Sequence, residues 1–287
     1  MFRKIKIIVL SSLSTLILSS CYQAGLFIAN LPQKFHDYNV IKDISYGEEK
    51  LQKFDIYLNS KPNAPTLIYF YGGGYTQGSK EDYKFMADAW LKRGYNVAIP
   101  DYRKYPDVEF KDIVADAAKA INYIHQNIQD YNGNKSNIYV LGHSAGAHIS
   151  FLAIADRSYE VKQNPVKAIA GLAGPYSFEP KISKYKEIFG PPEKYPMMQV
   201  DNFITGDEPP MLLINGGSDN LVGVSNTARL AKKLDQFDVE YQRKVYEGIG
   251  HLGLVGRFAD LWLSENVIID DVDEFFKNYL DNFDNAG

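Results

Sequence analysis

The chain has 287 residues, 45% hydrophobic and 23% charged, enough for one large domain around a single filled core. Its formal net charge of −4 and the lack of a basic patch argue against nucleic acid as a partner. Its single cysteine excludes an internal disulfide.

The amino terminus reads as a targeting segment. Arg3, Lys4 and Lys6 precede an apolar run from Ile7 to Leu18, well short of the roughly 20 residues that span a bilayer as a helix. Leu18-Ser19-Ser20-Cys21 closes the run and resembles the bacterial lipobox. The resemblance implies that residues 1–20 are a lipoprotein signal peptide and that Cys21 becomes a lipidated amino terminus. The expected protein is exported and anchored to a membrane through Cys21. Because Tyr22 and not aspartate follows, the outer membrane is favoured if the source is Gram-negative. Residues 21–36 read as a tether and 37–287 as the catalytic domain.

Beyond the tether, extended segments alternate with amphipathic helices. Strands are predicted over Lys53–Leu58, Thr66–Tyr71, Asn96–Pro100, Asn137–Leu141, Ala168–Leu172, Met211–Asn215 and Tyr241–Tyr246. Several are nearly continuous apolar runs, the pattern of strands covered on both faces. Val114, Ala117, Ala118, Ile121, Ile124 and Ile128 recur at helical spacing, and Thr227 to Phe237 and Val272 to Phe283 read similarly. Such alternation predicts an α/β fold with a mainly parallel central sheet, helices on both faces and a site beyond the carboxyl ends of the strands. The stretch from Pro175 to Pro210, rich in Tyr, Phe, Pro, Lys and Met, breaks the rhythm and reads either as a lid or pocket wall over the site or as a solvated excursion.

One pentapeptide carries chemistry. Gly142-His143-Ser144-Ala145-Gly146 follows an apolar strand and opens an alanine-rich helix, the strand-turn-helix setting in which a strained serine stands exposed at a sheet end. A serine hydroxyl needs a base and a group to orient that base. Of the five histidines, His36 lies in the tether, His125 on the striped helix, and His143 and His148 around the turn itself. His251 follows the last strand through a glycine-bearing loop and is the expected base. Asp219 follows the strand Met211–Asn215 and is the expected acid, with Asp207 and Glu208 as weaker rivals that no strand delivers. Tyr71-Gly72-Gly73-Gly74-Tyr75 follows another strong strand, and the N–H groups of Gly73, Gly74 and Ala145 are the expected oxyanion hole. No Lys-Ser/Thr follows the glycines, so a nucleotide loop is not expected.

With these elements in the order Ser144, Asp219, His251, the chain from about His36 onward resembles the α/β-hydrolases of the carboxylesterase and hormone-sensitive-lipase-like group. Pro100-Asp101-Tyr102-Arg103 with Pro106 resembles the segment after the fourth main strand of such esterases. Gly142 to His148 is similar to the elbow of bacterial feruloyl- or xylan-type esterases and prenylcysteine methylesterases. The resemblance implies the α/β-hydrolase fold and hydrolysis of small-molecule, glycan or lipid carboxylic esters with neither metal nor organic cofactor. A preference for short acyl groups is expected from the lack of a long apolar lid. Amidase or arylformamidase chemistry is the alternative, and an inactive hydrolase scaffold used for binding is a further one. One departure stands out: Tyr71 precedes the glycines where the family usually has histidine.

Overall fold

The computed structural model describes residues 24–31, 37–161, 165–259 and 266–280. The signal segment, Cys21, His36 and Phe283 lie outside the described residues.

Eight strands form one sheet in the order β1-β2-β4-β3-β5-β6-β7-β8. They are β1 (Val40–Ser45), β2 (Lys53–Tyr57), β3 (Ala64–Phe70), β4 (Asn96–Pro100), β5 (Gly133–His143), β6 (Ala168–Leu172), β7 (Met211–Gly216) and β8 (Tyr241–Tyr246). From β4 to β8 every neighbouring pair is parallel. β2 runs antiparallel to β4, and β1 antiparallel to β2. Every residue of β4, β6 and β7 is buried. Since successive side chains on a strand point to opposite faces, both faces of the sheet are covered.

The helices are α1 (24–29), α2 (Lys84–Leu91), α3 (Phe110–Asn127), α4 (Ala145–Ala155), α5 (Ser183–Phe189), α6 (Ser225–Gln236), α7 (His251–Gly256) and α8 (Val267–Lys277). The stripe on α3 is the core face, with Ile113, Val114, Ala117, Ala118, Ile121 and Ile124 all buried. α4 is buried along its whole length, with no solvent face. That is why its sequence shows small and apolar residues without amphipathic spacing.

Two readings from the sequence change. β1 is not among the predicted strands, because a bulge between Ile41 and Ile44, with Asp43 at φ 56°, breaks the alternation of Val-Ile-Lys-Asp-Ile-Ser. The tether is docked in part: Leu26 and Ala29 of α1 are buried in the core cluster. The Asn30 side chain donates to the Asp82 carbonyl (2.7 Å) and accepts from the Phe85 N–H (3.1 Å), which pins α1 beside α2.

Parallel topology decides where chemistry can gather. β3, β5, β7 and β8 all point the same way. The glycine loop, Ser144, Asp219 and His251 therefore all leave the sheet at one end, although they are spread over 180 positions of chain from Gly72 to His251.

Candidate active site

β5 ends at His143, Ser144 turns the chain, and α4 begins at Ala145. Ser144 has φ 53° and ψ −121°, a strained conformation for a residue with a side chain. Its N–H donates to the Leu172 carbonyl of β6 at 2.8 Å, and its carbonyl accepts from the His148 N–H at 3.0 Å. The flanking glycines are required by close approach. A Cβ on Gly146 would lie 2.1 Å from the Phe70 carbonyl oxygen, and one on Gly142 would lie 2.4 Å from the Ala147 Cα. Neither backbone can give way without opening the turn.

Asp219 lies three residues past β7, and His251 opens α7 after the loop from β8. Two backbone bonds join these loops: Gly217 N–H to the Tyr246 carbonyl (2.8 Å) and Ser218 N–H to the Ile249 carbonyl (3.0 Å). In the space so formed, Nδ1 of His251 lies 2.7 Å from Oδ2 of Asp219, and its Nε2 lies 2.9 Å from Oγ of Ser144. A carboxylate only accepts, so Nδ1 carries the hydrogen and Nε2 is the acceptor facing the serine. Oδ1 of Asp219 accepts from the N–H groups of Leu221 and Val222, at 2.8 Å each. Burial pushes the Asp219 carboxyl up, but the bond from His251 and the backbone N–H groups of Val222 and Leu221 outweigh it and hold it below its usual range. The two rival acids are elsewhere. Glu208 accepts from the N–H and hydroxyl of Thr205 and from Gly206 N–H, and Asp207 offers its carbonyl to Arg157.

The glycine loop runs beside the serine. A Cβ on Gly72 would sit 3.1 Å from Ser144 Cβ and 2.9 Å from Nδ1 of His143, so only glycine allows this approach. The Gly73 carbonyl accepts from Thr76 and Gln77, closing a tight turn, while none of the described loop bonds uses the N–H of Gly73 or Gly74. Ala145, first in α4, carries one of the four N–H groups a helix leaves without an internal partner. Tyr71, in place of the usual histidine, is buried and donates its hydroxyl to Oδ1 of Asp101 at 2.5 Å. Its ring stacks between Tyr83 and Tyr102, with centroids 5.2 and 4.8 Å away, and a Cβ on Gly78 would strike it. Tyr71 thus braces the loop as a packed plate, anchored to Asp101 and not to the loop itself.

Two histidines that the sequence left as bystanders are structural parts of the site. Nε2 of His148 lies 2.6 Å from the Met198 carbonyl, which can only accept, so Nε2 is the donor. Nδ1 is then an acceptor, and the Tyr75 hydroxyl donates to it at 2.7 Å. The imidazole is buried and neutral, its pKa pushed down by burial to about 4. It bolts α4 to both the glycine loop and the 175–210 segment. His143 donates from Nε2 to the His251 carbonyl at 3.2 Å, steadying the start of α7. Its Nδ1 is buried without a partner, and burial, with the neighbouring His251, pulls its pKa down to about 3. Sequence could have hinted at both only through their place around the turn; the partners are 50 to 108 positions away.

The 175–210 segment is folded against the loop. It contains α5 and 3₁₀ turns over Pro192–Met198 and Val200–Asn202. Gln199 clasps the backbone of Phe178 at 2.8 and 2.6 Å, and Phe189 packs edge-on to Tyr75 and Phe110 at 5.2 and 4.8 Å. It is a wall beside the glycine loop. Among the described residues no group of His, Cys, Asp and Glu side chains could hold a metal ion.

Comparison with known proteins adds to this geometry. The BD-FAE family profile matches residues 54–234. The chain is 26% identical over 276 residues to the isoprenylcysteine alpha-carbonyl methylesterase of Arabidopsis thaliana, covering 84% of this chain and 64% of that one. It is 30% identical over 148 residues to the kynurenine formamidase of Danio rerio, covering 50% and 49%. The chain spans 36 to 64% of the length of the plant methylesterases it matches. Among solved structures, esterase B from Lactobacillus rhamnosis superposes with a TM-score of 0.77 at 16% identity, covering 96% of this chain and 94% of that one. A truncated carbohydrate esterase from gut microbiota superposes at 0.71 with 20% identity, covering 84% and 96%. These superpositions show the α/β-hydrolase fold.

Proposed function

The chain belongs to the BD-FAE family, and from that premise we propose that it is a serine esterase acting through an acyl-enzyme. The observation that carries the reading is the unbroken line Asp219 Oδ2, His251 Nδ1, His251 Nε2, Ser144 Oγ, with spacings of 2.7 and 2.9 Å. In the proposed reaction the Ser144 hydroxyl proton passes to Nε2 of His251 as Oγ bonds to the ester carbonyl carbon. Asp219 keeps Nδ1 protonated and stabilises the imidazolium. The N–H groups of Gly73, Gly74 and Ala145 receive the developing oxyanion, each such donor being worth about 3–4 kcal/mol of barrier. The carbon–oxygen bond to the alcohol breaks, and His251 returns the proton to the leaving oxygen. Water then attacks the acyl carbon, gives a proton to Nε2, and Ser144 leaves with it.

A fluorophosphonate probe is expected to label the protein, and Ser144→Ala is expected to abolish labelling. An unlabelled wild-type protein overturns the enzyme reading. p-Nitrophenyl acetate is expected to turn over faster than the octanoate, and the reverse order would refute the short-chain preference. A formamidase reading is the second one, favoured by the similarity to the fish kynurenine formamidase over half of this chain. Comparing N-formyl and O-acetyl compounds of one scaffold separates the two. The lipobox-like Leu18 to Cys21 supports export and lipid anchoring. Cys21→Ser is expected to release the protein from membranes, and unchanged partitioning would rule out the anchor.

A further inference from the structure

The wall beside the glycine loop carries a cation. α5 places Lys184 so that its Nζ is 3.7 Å from where a Cβ on Gly74 would stand, and the Tyr185 hydroxyl lies 4.0 Å from the same point. Gly72, at the other end of the triplet, faces Ser144 at 3.1 Å by the same measure. Gly72 and Gly74 are two residues apart, at most about 7 Å of extended chain, so the ammonium and the nucleophile flank opposite ends of the same glycine triplet.

Among the described residues no ion pair uses this charge. Lys184 donates to the Thr76 hydroxyl of the glycine loop at 3.1 Å, and no carboxylate among the described residues lies within ion-pair distance of it. Its pKa is pulled down by desolvation alone, with no acidic neighbour to offset it. The backbone that bears it is held: Tyr185 and Phe189, on either side of the next turn, pack on the Tyr75 ring at 6.5 and 5.2 Å. The Tyr75–His148–Met198 bonds fix the same wall to α4. By contrast Lys104, the other cation near the loop, is committed to the Tyr102 carbonyl at 2.8 Å and to the Tyr71 and Tyr102 rings.

We propose that Lys184 is a specificity-determining residue and that the substrate is an ester bearing an anionic group, a carboxylate on its acyl or alcohol part, which pairs with the Lys184 ammonium over Gly74. This deepens the esterase reading and rests on it. The Thr76 and Tyr185 hydroxyls stand ready as neutral partners of the same carboxylate. The wall therefore selects for charge as well as size.

Two matched pairs test it. p-Acetoxybenzoate against p-acetoxybenzamide puts the charge on the leaving alcohol, and monomethyl succinate against methyl succinamate puts it on the acyl group. Lys184 is exposed, and an exposed ion pair is worth about 0.2–1 kcal/mol, so wild-type kcat/KM is expected to favour the anion in one pair by about 1.5- to 5-fold. The preference is expected to lie in KM, to shrink with added salt, and to vanish in Lys184→Gln, the neutral member serving as the reference for each variant. Lys184→Arg is expected to keep it. Equal rates within both pairs, or a preference that survives Lys184→Gln, overturn the proposal and leave the esterase reading intact. Turnover of no ester at all, with no fluorophosphonate labelling, overturns the esterase reading and this proposal with it.

Discussion

Replacing Asp219 by asparagine is expected to disable the site by turning one imidazole proton around. Oδ1 of Asp219 accepts two backbone N–H bonds at 2.8 Å, from Leu221 and Val222. In Asp219→Asn the amide oxygen must keep that place, because an NH₂ there would face two donors and strand them, at about 1–3 kcal/mol each. The NH₂ group is thereby aimed at Nδ1 of His251, where Oδ2 now accepts at 2.7 Å. Nδ1 must become an acceptor, so the hydrogen moves to Nε2, the atom 2.9 Å from the serine oxygen. An Nε2–H cannot take the serine proton. A wrong tautomer of this kind costs on the order of 10⁴-fold in kcat, about 5.5 kcal/mol at roughly 1.36 kcal/mol per decade. The assays are p-nitrophenyl acetate turnover and the rate of fluorophosphonate labelling, with circular dichroism to verify the fold. Asp219→Ala is expected to be the more active and the less stable of the two, since its ring is free to choose a tautomer while Leu221 and Val222 lose their acceptor. A loss below about tenfold, or 1.4 kcal/mol, in a folded Asp219→Asn protein would refute the reasoning.

Other outcomes follow from the same geometry. Ser144→Gly is expected to raise stability relative to Ser144→Ala by about 1 kcal/mol or more, because glycine relieves the positive φ; equal melting temperatures would deny the strain. Tyr75→Phe removes the donor to a buried His148 Nδ1 and is expected to cost about 1–3 kcal/mol in urea denaturation, with kcat falling more than KM rises; an unchanged midpoint would refute the brace. Burial lowers the His148 pKa to about 4 and the His143 pKa to about 3. Both histidines take a proton near pH 6.5 when unfolded, so between these values the unfolded chain binds more protons. Stability is thus full above about pH 6.5 and falls as pH drops toward about 4, His148 alone contributing about 3 kcal/mol across the window. Asp219, held below the usual carboxylate range, adds a loss only at lower pH still. Urea midpoints that do not move between about pH 7 and pH 4.5 would contradict this linkage.

Much of the framework was legible because it is written locally. β4 and β6 have the boundaries expected from their apolar runs, β8 has the expected bounds between its two tyrosines, and β5 only extends its predicted core at both ends. The elbow glycines are visible in sequence because the turn they permit spans five residues. The edge strand β1 was not legible, since a bulge between Ile41 and Ile44, with Asp43 at φ 56°, breaks its alternation. Nor was the docking of α1, which depends on Leu26, Ala29 and Asn30 meeting α2 some 55 positions away.

The sequence by itself determined the alternation of strands and helices, the strained serine turn, and the order of serine, acid and histidine, because backbone sterics and burial act between neighbours in the chain. Tertiary structure alone decided what each polar group touches. It made Gly72 the glycine that faces Ser144, gave Tyr71 to Asp101, fixed the tautomers of His143 and His148, and set Lys184 over the loop. Those contacts join residues 30 to 110 positions apart. A hydrogen bond or a charge placement leaves no periodic trace in the chain, so it exists only once the sheet has brought its strand ends together.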